Sequence, residues 1–247
     1  MTRIVVIGAT SGIAEQCCRL WVERGAVDLT LLARDTAKAE HIASDLRVRS
    51  PASKITVEGG QFTEPAFIER FAGNATAAGP VDIVLIAHGW LGEQEQSQDD
   101  IFHCREVLEI NAVSPALFAE AFAKRFAKAN HGTIAIFGSV AGDRGRAINY
   151  VYGASKGLVA RYAEGLDHRF AGTKVKVVLI KPGPTDTPMA ARYKAQGAKL
   201  ATPREVAEAT VRAVDKGKAV VYAPFKWLPI MMVIRHLPRF IFNRLRI

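Results

Sequence analysis

In the stretch NYVYGASKG, residues 149–157, Tyr152 and Lys156 are four residues apart. Read as helix, that spacing sets a phenol and an ammonium one turn apart on one face, while Tyr150 points elsewhere. Ser139 follows the apolar run TIAIF, and Asn111 lies inside the apolar helical run EVLEINAVSPALF. A carbonyl that receives hydride builds negative charge on oxygen, so it needs a hydroxyl to stabilise the oxyanion and a proton source. Ser139 and Tyr152 are the residue types for these two tasks. A free tyrosine has a pKa near 10, so on the order of one part in a thousand is ionised at neutral pH, and a neighbouring cation favours the phenolate. Each residue also has a plainer reading. Tyr152 and Lys156 can be an exposed tyrosine beside a solvated lysine, and Asn111 can be a core amide that satisfies backbone groups.

A second constellation opens the chain. GATSGIA, Gly8 to Ala14, follows the apolar run Ile4 to Ile7 and precedes a helical pattern. A small-residue turn between a strand and a helix lets backbone amides and the positive helix end approach a pyrophosphate. Gly8, Thr10, Ser11, Gly12 and Ile13 are the candidates for that contact. The end of the second strand selects the dinucleotide, because an acidic residue there holds the ribose hydroxyls of NAD(H) and repels a 2′-phosphate. This chain has Ala33 and then Arg34, with Asp35 next. A guanidinium pairs with phosphate through two parallel hydrogen bonds, which favours NADP(H) over NAD(H).

The elements that must carry these groups are legible as alternation. IVVI, LTLLA, ITVE, VDIVLIA, TIAIF, KVVLI and AVVYA are strand-like runs separated by amphipathic segments. Continuous apolar strands interleaved with helices predict a parallel sheet covered on both faces, a doubly wound α/β Rossmann fold with seven strands in the order 3-2-1-4-5-6-7. At 247 residues, without repeats or linkers, a single domain over 1–247 is expected. Cys17, Cys18 and Cys104 have no zinc spacing, so no metal site is expected, and an odd count fits a reducing, cytoplasmic setting. The apolar run after the first residues is too short for a signal peptide, and no run reaches the roughly 18 residues of a spanning helix. The formal charge of +9 calls for an anionic ligand or surface.

Taken together, GATSGIA, Asn111, Ser139, Tyr152-x-x-x-Lys156 and PGPTDTPM from Pro182 resemble the short-chain dehydrogenase/reductase family, in family order and over about residues 4 to 190. The resemblance implies that Tyr152 is catalytic and that Lys156 also binds the nicotinamide ribose. It further implies that Asn111 supports a proton relay through water, that Pro182 and Gly183 border the cofactor, that Thr187 orients the nicotinamide amide, and that the protein self-associates. Two positions depart from the family pattern. IAHG, Ile86 to Gly89, stands where Asn-Asn-Ala-Gly is usual, leaving Ala87 and Gly89 to face the cofactor, and Gln61 replaces the aspartate near adenine. Ser11 stands where many NADP-preferring members have a basic residue, so the cofactor choice rests on Arg34.

Arg144 and Arg146 lie on the segment joining Ser139 to Tyr152, where they receive a substrate phosphate or are simply solvated; Tyr150 lines the pocket or packs on the loop. The tail, residues 225–247, has five Lys/Arg and no acid among apolar and aromatic residues, and Pro229 and Pro238 break it into short pieces. Such a segment suits the boundary of an anionic membrane, a pocket lid or a dimer interface. AGDRGRAINYVYGASKG, VVYAPFKWLPIMMVIRHLPRFIF and the HG after the fourth strand, His88 and Gly89, resemble a narrower group, the decaprenylphosphoryl-2-keto-β-D-erythro-pentose reductases. That likeness implies a lipid-linked keto sugar as substrate and a flavin oxidase as partner. Readings that compete with ketone reduction are an alcohol dehydrogenase working oxidatively, a reductase of another bulky ketone, and a non-catalytic NADP(H)-binding regulator. Nucleic acid is not an expected partner, because the basic tail is strongly apolar and no recognised motif accompanies it.

Overall fold

The computed structural model describes residues 1–245; Arg246, the last of the tail's five cations, lies outside the described residues with Ile247. Seven strands form one parallel sheet: β1 (Thr2–Ile7), β2 (Val27–Ala33), β3 (Lys54–Gly59), β4 (Ile83–Ile86), β5 (Thr133–Phe137), β6 (Lys176–Pro182) and β7 (Val220–Ala223), in the order β3-β2-β1-β4-β5-β6-β7. The expected strand order is the observed one. Helices α1 (Gly12–Arg24), α2 (Thr36–Arg49) and α9 (Pro203–Asp215) cover one face, and α3 (Pro65–Ala77), α6 (Ser114–Ala129) and α7 (Tyr150–Arg169) the other. Shorter helices are α4 (Gln94–Asp99), α5 (Ile101–Leu108), α8 (Ala191–Ala195), α10 (Trp227–His236) and α11 (Arg239–Phe242).

Both faces of the strands are buried because each crossover lays a helix on the sheet, and the period of two divides the side chains between two cores. Ile4 and Val6 join Leu29, Leu31, Trp21 and Val206 on one face. Val5 and Ile7 join Leu32, Phe71, Phe118 and Phe122 on the other. Phe118 and Phe122 are fully buried, and each such side chain stabilises the fold by about 1.5–3 kcal/mol. Cys17 and Cys18 are also fully buried, on the sheet-facing side of α1, whereas Cys104 is half-buried. The order of strands reverses between β1 and β4, and their register (Ile7 beside Ile86) brings Gly8 and Ala87 to the same edge. Open α/β sheets bind ligands in the crevice outside the carboxyl ends at such a reversal.

The tail departs from the expectation in one respect. Pro229 does not interrupt it but sits in the first turn of α10, where an amide has no intrahelical acceptor to lose. Pro238 does end the run and separates α10 from α11. Among the described residues, no helix is long and apolar enough to cross a membrane, and no group of His, Cys, Asp and Glu is arranged to hold a metal.

Candidate active site

Gly8 has φ +83°, and a Cβ there would lie 2.6 Å from the His88 amide nitrogen, so only glycine lets β1 turn this close to the end of β4. The turn folds back on β2, with the Gly8 and Ala9 amides donating to the Leu32 carbonyl at 2.9 and 3.1 Å. Ser11 is the N-cap residue of α1 but makes no side-chain capping bond. The first-turn amides of Gly12 and Ile13 therefore keep the anion-binding character of a helix start, with Thr10 just outside it. Thr187 reaches this turn from the far side of the crevice, its Cγ2 lying 3.6 Å from where a Gly12 Cβ would be.

Arg34 is exposed at the tip of β2 and makes no hydrogen bond or ion pair among the described residues. Its neighbour Asp35 is committed elsewhere: the carboxylate caps α2 by accepting from the Lys38 amide at 2.9 Å. Arg34, Gln61, His88 and Gly89 line a cavity of about 440 Å³. Ala87 is buried, with its amide bonded to the Ile7 carbonyl at 2.8 Å.

Asn111 lies in a π-helical turn, Glu109–Val113, between α5 and α6. Its amide nitrogen donates to the Trp90 and Val107 carbonyls at 2.6 and 2.8 Å, and its Oδ1 accepts from the Trp90 amide at 2.8 Å. The plainer reading of this asparagine therefore describes its side chain, which fastens the loop after β4 to the helix. It nevertheless stands at the site: a Cβ on Gly89 would be 2.9 Å from Asn111 Oδ1 and 3.5 Å from Lys156 Nζ.

Ser139 follows β5 and caps a short 3₁₀ turn, Val140–Asp143, by accepting from the Ala141 amide at 3.1 Å. Tyr152 and Lys156 share a face of α7, with Nζ 5.8 Å from the centre of the phenol ring. Lys156 donates to the Phe137 carbonyl at 3.0 Å and is buried, and burial lowers its pKa to about 8. Burial also raises the Tyr152 phenol to about 12, outweighing the Ser139 hydroxyl, which draws it down. The lysine was expected to favour phenolate; in the protein alone, desolvation decides, and the phenol keeps its proton at neutral pH.

Sequence proximity does not keep the loop arginines together. Arg144, expected at a substrate phosphate, turns to the tail: Nη1 donates to the Ile234 and Leu237 carbonyls at 2.5 and 2.7 Å, and the guanidinium lies 3.7 Å from the centre of the Phe242 ring. Arg146 does not follow it and has a buried Nε without a partner among the described residues. Burial lowers its pKa. Tyr150, at the start of α7, is exposed. Asp143, the acid of this loop, is spent on Lys181 Nζ at 2.5 Å and on the Tyr222 hydroxyl at 2.7 Å.

The tail packs on the end of β6. Pro182 ends β6, and a Cβ on Gly183 would run into the Trp227 indole. Met231 is buried against Val140 and Tyr222, with Trp227, Leu228 and Ile234 packed around them. Motif reading passes over Tyr193, over Trp227, which packs on Gly183, and over the cavity-lining place of His88. A lone tyrosine after PGPTDTPM gives no signal, a tail tryptophan reads as part of an apolar, basic segment, and His88 registers as a departure from Asn-Asn-Ala-Gly and as half of the HG that resembles the narrower group.

The match to known proteins agrees with this geometry. Residues 2–198 match the model of the short chain dehydrogenase family. An uncharacterized oxidoreductase of Mycobacterium tuberculosis is 30% identical over 242 residues, covering 98% of this chain and 96% of the relative. Among solved structures, a short-chain dehydrogenase from Sphingobium yanoikuyae in complex with NADPH superposes with a TM-score of 0.83 at 21% identity, covering 97% of each chain. A bulky-bulky ketone specific alcohol dehydrogenase from Comamonas testosteroni gives 0.79 at 21% identity, covering 97% of this chain and 96% of its own. With the glycine turn, the serine and the tyrosine–lysine pair gathered at one end of the sheet, the chain belongs to the short-chain dehydrogenase family and is a short-chain oxidoreductase.

Proposed function

We propose that this oxidoreductase uses NADPH to reduce a ketone to a secondary alcohol, and that the ketone is the 2-keto group of a polyprenylphosphoryl pentose. The observation that carries the reading is the grouping of a proton-donating phenol, Tyr152, with Lys156 on one face of α7, Nζ 5.8 Å from the ring centre, beside Ser139 at the end of β5. A reductase needs its proton in place when the substrate arrives.

The residues fit a dinucleotide. The turn from Gly8 to Ile13 accepts the pyrophosphate, Arg34 the 2′-phosphate, Gln61 the adenine edge, and Ala87, Gly89, Pro182, Gly183 and Thr187 the remaining walls. When bound, the cofactor supplies hydride to the substrate carbonyl. Ser139 donates a hydrogen bond to the carbonyl oxygen, and Tyr152 Oη transfers its proton there as negative charge develops. Lys156, a cation at neutral pH, stabilises the phenolate left behind and is within reach of the nicotinamide ribose. Asn111 ties Trp90 to Val107 through its three backbone bonds and so holds the loop after β4 beside Lys156.

Arg146 supports the phosphate-bearing substrate. It is a partly buried guanidinium with no acid beside it, since Asp143 is consumed by Lys181 and Tyr222. The similar fold of the bulky-bulky ketone specific alcohol dehydrogenase from Comamonas testosteroni supports a wider second reading, reduction of another large ketone. The outer side of the tail supports peripheral docking on an anionic membrane, where a lipid-linked sugar resides. Phe225, Met232, Val233 and Phe240 are exposed there, interleaved with exposed Lys226, Arg235, Arg239 and Arg244. A flavin oxidase acting on the same sugar, and self-association, belong to this proposal through the resemblance. Turnover of a polyprenylphosphoryl 2-keto pentose is to be compared with that of simple ketones, each with NADPH and NADH. Preference for the lipid-linked sugar with NADPH is expected. Equal rates on small ketones leave the wider reading, and no turnover of any ketone overturns both.

A further inference from the structure

Each residue of the turn Val140–Asp143, which follows Ser139, is held by a different neighbour. Ala141 and Gly142 are bound to the serine itself: Ser139 Oγ accepts from the Ala141 amide at 3.1 Å, and the Ser139 carbonyl accepts from the Gly142 amide at 3.1 Å. The same two residues press on α7. A Cβ on Gly142 would lie 2.6 Å from the Lys156 carbonyl carbon, and a Cβ on Gly153 would lie 3.0 Å from the Ala141 oxygen. Glycine on both sides lets the two backbones touch, one position after Tyr152 and again at Lys156. Asp143 ties the end of the turn to the sheet, its buried carboxylate accepting from Lys181 of β6 at 2.5 Å and from the Tyr222 hydroxyl of β7 at 2.7 Å.

The remaining holds come from the tail, and they bracket the turn at its first residue and just past its last. Met231 of α10 is buried against Val140. Arg144 donates to the Ile234 and Leu237 carbonyls and faces the Phe242 ring of α11. Those carbonyls lie at the C-terminal end of α10, the negative end of the helix dipole, where a guanidinium is a favoured partner. The tail therefore bears on the turn, and the turn bears on both Ser139 and the stretch of α7 that carries Tyr152 and Lys156. We propose that Arg144 is a positioning residue: by fastening α10 and α11 to the turn it fixes Ser139 against Tyr152 and Lys156, so that the seated tail sets the rate of the chemical step and leaves cofactor affinity unchanged. The inference rests on the ketone-reduction reading above. It gives the inner side of the tail a task that needs no membrane on the outer side.

Arg144→Met keeps an unbranched stem and removes the donors and the charge. Two measurements separate anchoring from positioning: trypsin cleavage after Arg235 and Arg239, both exposed, and turnover with NADPH of a ketone that wild type reduces. Cleavage is expected to be about tenfold faster than in wild type, because the tail opens more often. Turnover is expected to show kcat about tenfold lower with KM for NADPH within about twofold of wild type. The same substitution is then made in Ser139→Ala and followed by single turnover at high enzyme concentration, where slow reduction stays measurable. With the serine hydroxyl gone, Arg144→Met should lower the rate by no more than about twofold further, because it acts through that hydroxyl. A second full loss in the Ser139→Ala background, faster cleavage with unchanged kcat, or cleavage as slow as in wild type each overturns the assignment. Should Arg144→Met fail to fold, Phe242→Leu removes only the ring that faces the guanidinium, and about threefold changes in both measurements are expected; no change in either overturns the proposal. Wild type that turns over no ketone strikes the ketone reading instead, and the anchor is then decided by the trypsin measurement.

Discussion

Lys156 carries its ammonium into a position only 3% exposed, with the Phe137 carbonyl as its hydrogen-bond acceptor. The fall of its pKa from 10.5 to about 8 corresponds to about 3 kcal/mol of penalty on the charged form at neutral pH. Between those two values the unfolded chain binds more protons than the folded one, so stability rises with pH through that window. Lys156→Met should therefore abolish turnover yet raise unfolding free energy at pH 7 by roughly 1–3 kcal/mol, part of the gain being lost with the Phe137 bond. Denaturant titration should show the advantage shrinking between pH 8 and 10.5; no gain at pH 7 would show that the charge is not penalised where it sits. The neighbouring phenol makes a separate case. Tyr152→Phe deletes the proton donor and almost no volume, so turnover should fall nearly to zero while calorimetry shows NADPH binding largely kept. Tyr150→Phe, at an exposed position, should do much less, and comparable losses from both would mean that the reacting phenol is misassigned.

At the scale of elements, the strands were legible because parallel strands buried on both faces must be apolar throughout, and runs such as IVVI and TIAIF leave little choice. The glycine turn and the tyrosine–lysine pair were legible for a related reason: each is local, and its spacing is itself the geometry. What the sequence hid depends on distant chain. Arg144 reads as a free cation until the tail, some 90 residues later, brings the carbonyls of Ile234 and Leu237 to it. The π-helical turn at Asn111 leaves no trace in an apolar run, because the extra residue changes hydrogen bonding and not composition. Trp227, Ile230, Met231 and Phe240 all read as candidates for a membrane face, but Met231 is buried and Trp227 packs on Gly183, leaving Ile230 and Phe240 exposed. The contact between β6 and α10 makes a direct prediction. In Gly183→Ala the new methyl must displace the indole, so tryptophan emission should shift and turnover should fall by about tenfold or more. An unchanged spectrum would mean that α10 yields freely there.

For the whole molecule, the formal charge of +9 has a location as well as a sign. One flank of α10 packs on Val140, Tyr222 and Gly183, and the outer side of the tail presents cations and apolar side chains together. Each cation near an anionic bilayer contributes roughly 1 kcal/mol of attraction. Sedimentation with anionic vesicles should therefore bring down the intact protein in low salt and much less of a variant with Arg235, Arg239 and Arg244 changed to serine. Equal, salt-insensitive partitioning of the two would refute electrostatic docking. Arg144 is left out of the variant because it anchors the tail to the domain.

The paired thiols of α1 give this protein its own clock for opening. Cys17 and Cys18 are fully buried, and burial raises both thiols well above their ordinary pKa, whereas Cys104 is half-buried. The thiolate is the form that reacts. A maleimide pulse should therefore mark Cys104 promptly and the adjacent pair only when α1 lifts from the sheet. Because α1 begins at the glycine turn, NADP⁺ should slow labelling of the pair without slowing that of Cys104. Mass spectrometry of the labelled peptides would read this as the free energy of detaching one helix. Prompt modification of all three cysteines would show that α1 detaches far more readily than its packing implies.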